Sequence, residues 1–163
     1  MQGLAVKQTQ DGECEERNYT DGKLEGQATI IFADSSKEIR NYHNNKPNGQ
    51  AMLFAANGDR IEFNYENGVV TGKATIKGSN GDKEACVYVK GVKHGPATYF
   101  WKAGHREDFH YDNGKKTGKA VLRGASGAIR QGTKKNGQWH GPATFTSQDG
   151  EVKDERWDHG RKM

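Results

Sequence analysis

Metal ligation, nucleophilic attack and proton transfer each need histidine, cysteine or carboxylate side chains held within a few ångströms of one another. This chain of 163 residues has six histidines and two cysteines. His105 and His110 are five residues apart, and on a strand an odd offset sends them to opposite faces. His94 and His140 are 46 residues apart, and His43 and His159 stand isolated, so no metal site is expected. Cys14 and Cys86 are too few for a disulfide framework, which makes two free thiols the expectation. Four carboxylates, Glu15, Glu38, Glu84 and Glu107, recur at multiples of 23 residues. A ladder of like side chains reads as a solvated sheet face and not as an acid–base dyad. The glycine-rich turns carry no Walker pattern, so the chain reads as a non-enzyme without a cofactor.

Charge is the more informative chemistry. Lys115, Lys116, Lys119, Arg123, Arg130, Lys134 and Lys135 occur with no acid between them, although the whole chain carries only +4. Such a patch suits anionic lipid headgroups or an acidic protein surface. Readers of nucleic acid interleave aromatics for base stacking, and this stretch has none, so nucleic acid is not the expected partner.

The spacing of the glutamates belongs to a repeat of the whole chain. A Gly-x-Ala tripeptide opens at residues 3, 26, 49, 72, 95, 118 and 141, seven copies in strict register from Gly3 to Met163. A second glycine column, broken once by Ser35, runs from Gly12 to Gly150, and a third, broken once by Asn45, runs from Gly22 to Gly160. Asn-Gly and Asp-Gly pairs in both columns, such as Asp11-Gly12, Asn57-Gly58 and Asn67-Gly68, signal two-residue turns with positive φ at both central residues. Two turns per repeat imply two strands per repeat, hence about fourteen strands in an all-β, twisted antiparallel meander of hairpins. Leu, Ile, Val and Phe together make up only about 15% of the residues, too little for an ordinary globular core. A repeat array needs less, because each unit is held by its neighbours. On this reading residues 1–163 form a single array. His94 and His140 are then four strands apart, roughly 19 Å, beyond one metal ion.

An aromatic column completes the pattern: Tyr19, Tyr42, Tyr65, Tyr88 and Tyr111, then Lys134 and Trp157. With the glycines it reads Tyr19-Thr20-Asp21-Gly22-Lys23-Leu24-Glu25-Gly26, and again Tyr111-Asp112-Asn113-Gly114-Lys115-Lys116-Thr117-Gly118. These columns resemble MORN repeats, of a divergent type similar to the arrays that precede SET methyltransferase domains. The position two residues after the strand-opening glycine, usually glycine in that family, is alanine in all seven copies here. No SET domain accompanies the array, so that catalytic activity is not implied.

The resemblance implies a scaffold that holds protein partners or docks on membranes. The residues add where. Small Gly and Ala columns let rings lie flat on the sheet, either as its core or as a groove for an extended peptide touching Tyr42, Phe63, Tyr65, Tyr88, Trp101, Phe109 and Tyr111. The seven cations from Lys115 to Lys135 would face an anionic surface, with Lys115, Lys116, Lys134 and Lys135 exposed at turns. The alternative is a structural, self-assembling glycine-rich protein, even an extracellular one, joined through its open sheet edges. Two cysteines and no export signal favour the cytoplasm, peripheral to membranes if the basic patch docks there.

Overall fold

The computed structural model describes residues 3–8 and 13–163, and among them every regular element is a strand. The Asp11-Gly12 turn lies outside the described residues. The chain divides into two compact units, Met1–Ser79 with Val89–Gly91, and Asn80–Tyr88 with Val92–Met163.

The first unit holds β1 (Gly3–Gln8), β2 (Cys14–Thr20), β3 (Lys23–Leu24), β4 (Gly26–Ile31), β5 (Lys37–His43), β6 (Lys46–Phe54), β7 (Arg60–Glu66) and β8 (Val69–Lys77). The second holds most of β9 (Lys83–Val89), then β10 (Val92–Lys93), β11 (Gly95–Phe100), β12 (Arg106–Asp112), β13 (Lys115–Arg123), β14 (Ile129–Lys135), β15 (Gln138–Thr146), β16 (Val152–Asp158) and β17 (Arg161–Lys162). Within each unit successive strands pair antiparallel, the hairpin meander that the turn spacing predicts. The extra strands over fourteen have simple origins. Breaks at Glu25 and His94 split β3 from β4 and β10 from β11, and the chain end adds β17.

The two turn columns differ in geometry. At Asn67-Gly68 both residues have positive φ, 51° and 87°, as a type I′ turn requires. At Asn57-Gly58 only the glycine does, at 87°. The amide of Gly58 donates to Ala55 O at 2.9 Å and that of Ala55 to Asp59 O at 2.8 Å. This is a longer loop closed by a left-handed glycine, so the expectation of type I′ turns fails in that column.

The Gly-x-Ala tripeptide also has a physical reason. Between β12 and β13 the register passes from Asp108↔Val121 to His110↔Thr117, so three residues, Gly118 to Ala120, stand opposite Phe109 alone. The bulge turns the backbone at Gly118 to φ 74°, where a side chain is strained. β6 makes the same bulge opposite β5, around Gly49. On its other side the glycine faces an aromatic: Gly26↔Tyr42, Gly49↔Tyr65, Gly95↔Tyr111 and Gly141↔Trp157. The ring lies over bare backbone, as expected for aromatic rescue of glycine.

The packed side of each unit is thin. Its buried apolar residues are chiefly the alanine column, Ala28, Ala51, Ala74, Ala97, Ala120 and Ala143, with Ile30, Tyr42, Cys86, Phe109 and Tyr111. Backbone pairing and flat rings over alanine replace a thick core.

Candidate functional site

The recurring glutamates do not face solvent. Glu38, Glu84 and Glu107 are buried, and Glu15 is largely covered, which corrects the reading of a solvated ladder. Glu15, Glu38 and Glu84 are each covered by the aromatic of the next repeat, which lies across the acid and gives it a hydrogen bond. Tyr42 Oη donates to Glu15 at 3.3 Å, Tyr65 Oη to Glu38 at 3.1 Å and Tyr111 Oη to Glu84 at 2.8 Å. Every link spans 27 residues, one repeat plus four. Cations complete the row. Arg17 pairs with Glu15, Arg40 lies between Glu15 (3.9 Å) and Glu38 (3.7 Å), and Lys93 Nζ sits 2.9 Å from both oxygens of Glu84. A buried carboxylate needs such donors, because an unpaired one would cost several kcal/mol, on the order of 3.

Burial and then the Glu84 bond hold the Tyr111 phenol well above its ordinary range. Tyr42, Tyr65 and Tyr88 are likewise raised, chiefly by burial. Burial also pushes the Cys86 thiol up, so it is not a ready nucleophile.

In the sixth and seventh repeats the same device runs with its charges exchanged. Lys134 takes the tyrosine position and pairs with Glu107. Arg130 takes the glutamate position, stacked 5.4 Å from the Phe145 ring centroid and 5.0 Å from that of Trp157. Its partner is Glu155, which also accepts from Lys162 (2.8 Å) and Trp157 Nε1 (3.0 Å). Burial raises that carboxyl, but the three donors outweigh it and bring the pKa down to about 2.

This arrangement sorts the sequence candidates. Of the proposed peptide contacts, Tyr42, Phe109 and Tyr111 are buried, while Phe63, Tyr65, Tyr88 and Trp101 are half-buried. The seven cations do not share one exposed surface. Lys115, Lys119, Arg123 and Lys135 are exposed, with Arg123 paired to Asp108 at 2.9 Å. Lys134, Arg130 and Lys116 turn inward. Lys116 Nζ lies 4.1 Å from the Phe109 ring centroid, and burial lowers its pKa. Exposure of Lys116 and Lys134 at turns is therefore corrected: each stands in a strand position that alternation directs to the packed side.

The opposite side of each unit is polar and open. In the first unit a groove of about 640 Å³ is lined by Gln27, Ile39, Asn41, Gln50, Met52 and Asn64, with Arg60, Lys73 and Phe63 beside them. Asn41 spans the strand gap to Gln50 O at 3.1 Å, as Asn18 does to Gln27 O at 2.7 Å. The second unit has a groove of about 770 Å³, lined by Lys119, Val121, Gln131, Thr133, Pro142 and Thr144 among others. Sequence reasoning passed over this side because its amides and threonines read as ordinary solvated strand positions.

The family model of the MORN repeat matches residues 18–37, 41–60, 87–106, 110–129 and 131–152. The chain belongs to the MORN repeat family. The matched MORN segments contain Tyr42 and Tyr111, two of the three tyrosines that make the aromatic-to-acid link, and the exchange at Lys134 falls inside a matched repeat. No curated protein matches the chain. Among solved structures, the TCP domain of SAS-4 (dCPAP) of Drosophila melanogaster, in complex with a proline-rich motif of Ana2 (dSTIL), is similar in fold. It superposes with a TM-score of 0.52 at 13% identity, covering 93% of this chain and 88% of that one. The G-box domain of the microcephaly protein CPAP aligns over 96% of this chain and 100% of that one, at 12% identity and a TM-score of 0.34, and carries no argument.

One MORN turn differs from the sequence expectation in a further way. His159 is not isolated: its ring lies 4.6 Å from that of His140, and Asp158 stands beside both.

Proposed function

We propose that this chain is a non-enzymatic scaffold that binds an extended, proline-rich segment of a partner protein in the polar groove of its first unit. The observation that carries the reading is the division of labour between the two sides. On the packed side, the carboxylates take their hydrogen bonds and ion pairs from phenols and cations of the same side. The groove has an apolar floor of Ile39 and Met52 beneath the amides of Gln27, Gln50 and Asn64 and the cation of Lys73, with Arg60 paired to Glu62 at 3.2 Å along its wall. A proline-rich segment offers a carbonyl at every residue, lacks an N–H at each proline, and enters an extended conformation at low entropic cost. Donors over an apolar floor match that chemistry. The related fold of the SAS-4 domain, solved with a proline-rich motif, supports the reading. Phe63 borders this groove, while its ring packs edge-on against Tyr65 at 5.2 Å on the tyrosine side.

Fluorescence anisotropy with labelled proline-rich and proline-free peptides tests it on the intact chain. The proline-rich peptide should bind, and Asn64→Ala with Gln50→Ala should weaken it about tenfold with the melting temperature unchanged, a loss of about 1.4 kcal/mol. No binding, or binding insensitive to that pair yet lost in Trp101→Ala, overturns the groove. The second outcome returns the partner to the half-buried rings of the aromatic side.

Docking on anionic lipid has narrower support, because Lys116, Arg130 and Lys134 are engaged in the packed side. Lys115, Lys119 and Lys135 remain as its contacts. Salt-sensitive binding to phosphatidylserine vesicles, lost when these three become glutamate, is the result it requires.

A further inference from the structure

We propose that His140, Asp158 and His159 form a binding site for a divalent transition-metal cation of the zinc class. The three side chains each turn a donor atom into one small volume at the β15–β16 end of the second unit, all within 4.8 Å of one another. His140 Nδ1 lies 3.4 Å from Asp158 Oδ1, and His159 Nδ1 lies 2.6 Å from the same oxygen. Two ligands on a tetrahedral zinc, each about 2.0–2.1 Å from the ion, stand about 3.3 Å apart. The first distance already meets this. The second opens by a small rotation of side chains that are more than half exposed, at 58% and 61%.

The repeat supplies an internal control. Two repeats earlier, His94, Asp112 and Asn113 occupy the same three positions. His94 Nδ1 lies 3.4 Å from the Asn113 amide and 3.6 Å from Asp112 Oδ1, and His140 Nδ1 lies 3.4 Å from the His159 amide in the same way. Holding the turn therefore explains a histidine and an aspartate at these positions. It does not explain His159. Asn113 fills that place with Nδ2, which donates to Asp112 Oδ1 at 3.1 Å and has no lone pair to offer a cation. The imidazole of His159 makes the same contact through Nδ1, and unlike an amide nitrogen a neutral imidazole ring carries a nitrogen lone pair able to ligate a cation. The exchange of one side chain converts a turn clasp into two imidazoles and a carboxylate, a donor set suited to zinc, with the fourth position left to water or a partner's ligand.

The experiment is a Zn2+ titration of the untagged full chain by calorimetry, with His159→Asn as the variant. Asparagine is the residue that the matching turn already accommodates, so the fold is retained. One zinc per chain is expected, with affinity about tenfold or more weaker in the variant. In parallel, 15N spectra of the histidine rings should show His140 and His159 shifting together at substoichiometric zinc while His94 stays in place. Equal affinity in the variant, no binding, or movement of His94 alongside His140 overturns the proposal.

Discussion

The phenol of Tyr111 donates to the carboxylate of Glu84, 27 residues earlier, at 2.8 Å. Tyr65 repeats the link to Glu38 and Tyr42 to Glu15, so each bond ties an aromatic to the acid of the preceding repeat. Tyr111→Phe keeps the ring and removes one of the donors to a buried acid, while Lys93 continues to hold it. The expected cost is about 1–2 kcal/mol by denaturant unfolding. An unchanged midpoint would show that the link adds nothing to packing.

Lys134 and Lys135 are adjacent in sequence and opposite in role. Lys134→Ala strands the buried Glu107 without its cation and should cost about 3 kcal/mol or more. Lys135→Ala, at an exposed position, should stay within about 0.5 kcal/mol. Equal effects would deny that Lys134 belongs to the packed side.

Glu155 sets an acid limit. Its folded pKa of about 2 lies below the ordinary 4.5, so its contribution to stability is complete above about pH 4.5 and is lost as pH falls through 2. The wild type should lose stability relative to Glu155→Gln across that window, as read by chemical denaturation at each pH. Parallel curves would contradict the network with Arg130, Lys162 and Trp157.

Much of the architecture was legible from spacing, since glycines in register mark both turns and strands. The bulge at Gly118 was not, because a glycine required by positive φ looks the same in sequence as one required by a close contact. The buried row was misread for a related reason. Glu38 and Glu84 are indistinguishable from surface acids until the tyrosine 27 residues later is known to lie across them. Lys134 was the available signal: a cation in an aromatic column, one repeat plus four residues after Glu107. His159 looked solitary because the partner that matters, His140, is 19 residues back, across a hairpin whose register fixes their approach.

Gly118→Ala separates backbone from packing. A methyl there would meet no atom within 4 Å, so its cost is conformational, about 1–2 kcal/mol for φ of 74°. Gly132→Ala meets the Ala143 side chain at 2.7 Å and should destabilise by overpacking. Thermal melts of the two variants check both; a neutral Gly118→Ala would mean the bulge relaxes.

The most direct test of the scaffold reading is a two-dimensional NMR titration of the intact, 15N-labelled chain with a proline-rich peptide, following side-chain amides and backbone together. The amides of Gln27, Gln50 and Asn64 should shift, with the backbone of Ile39 and Met52, while Tyr42 and Tyr111 on the packed side keep their positions. Shifts concentrated at the tyrosines, with the groove amides unmoved, would contradict it.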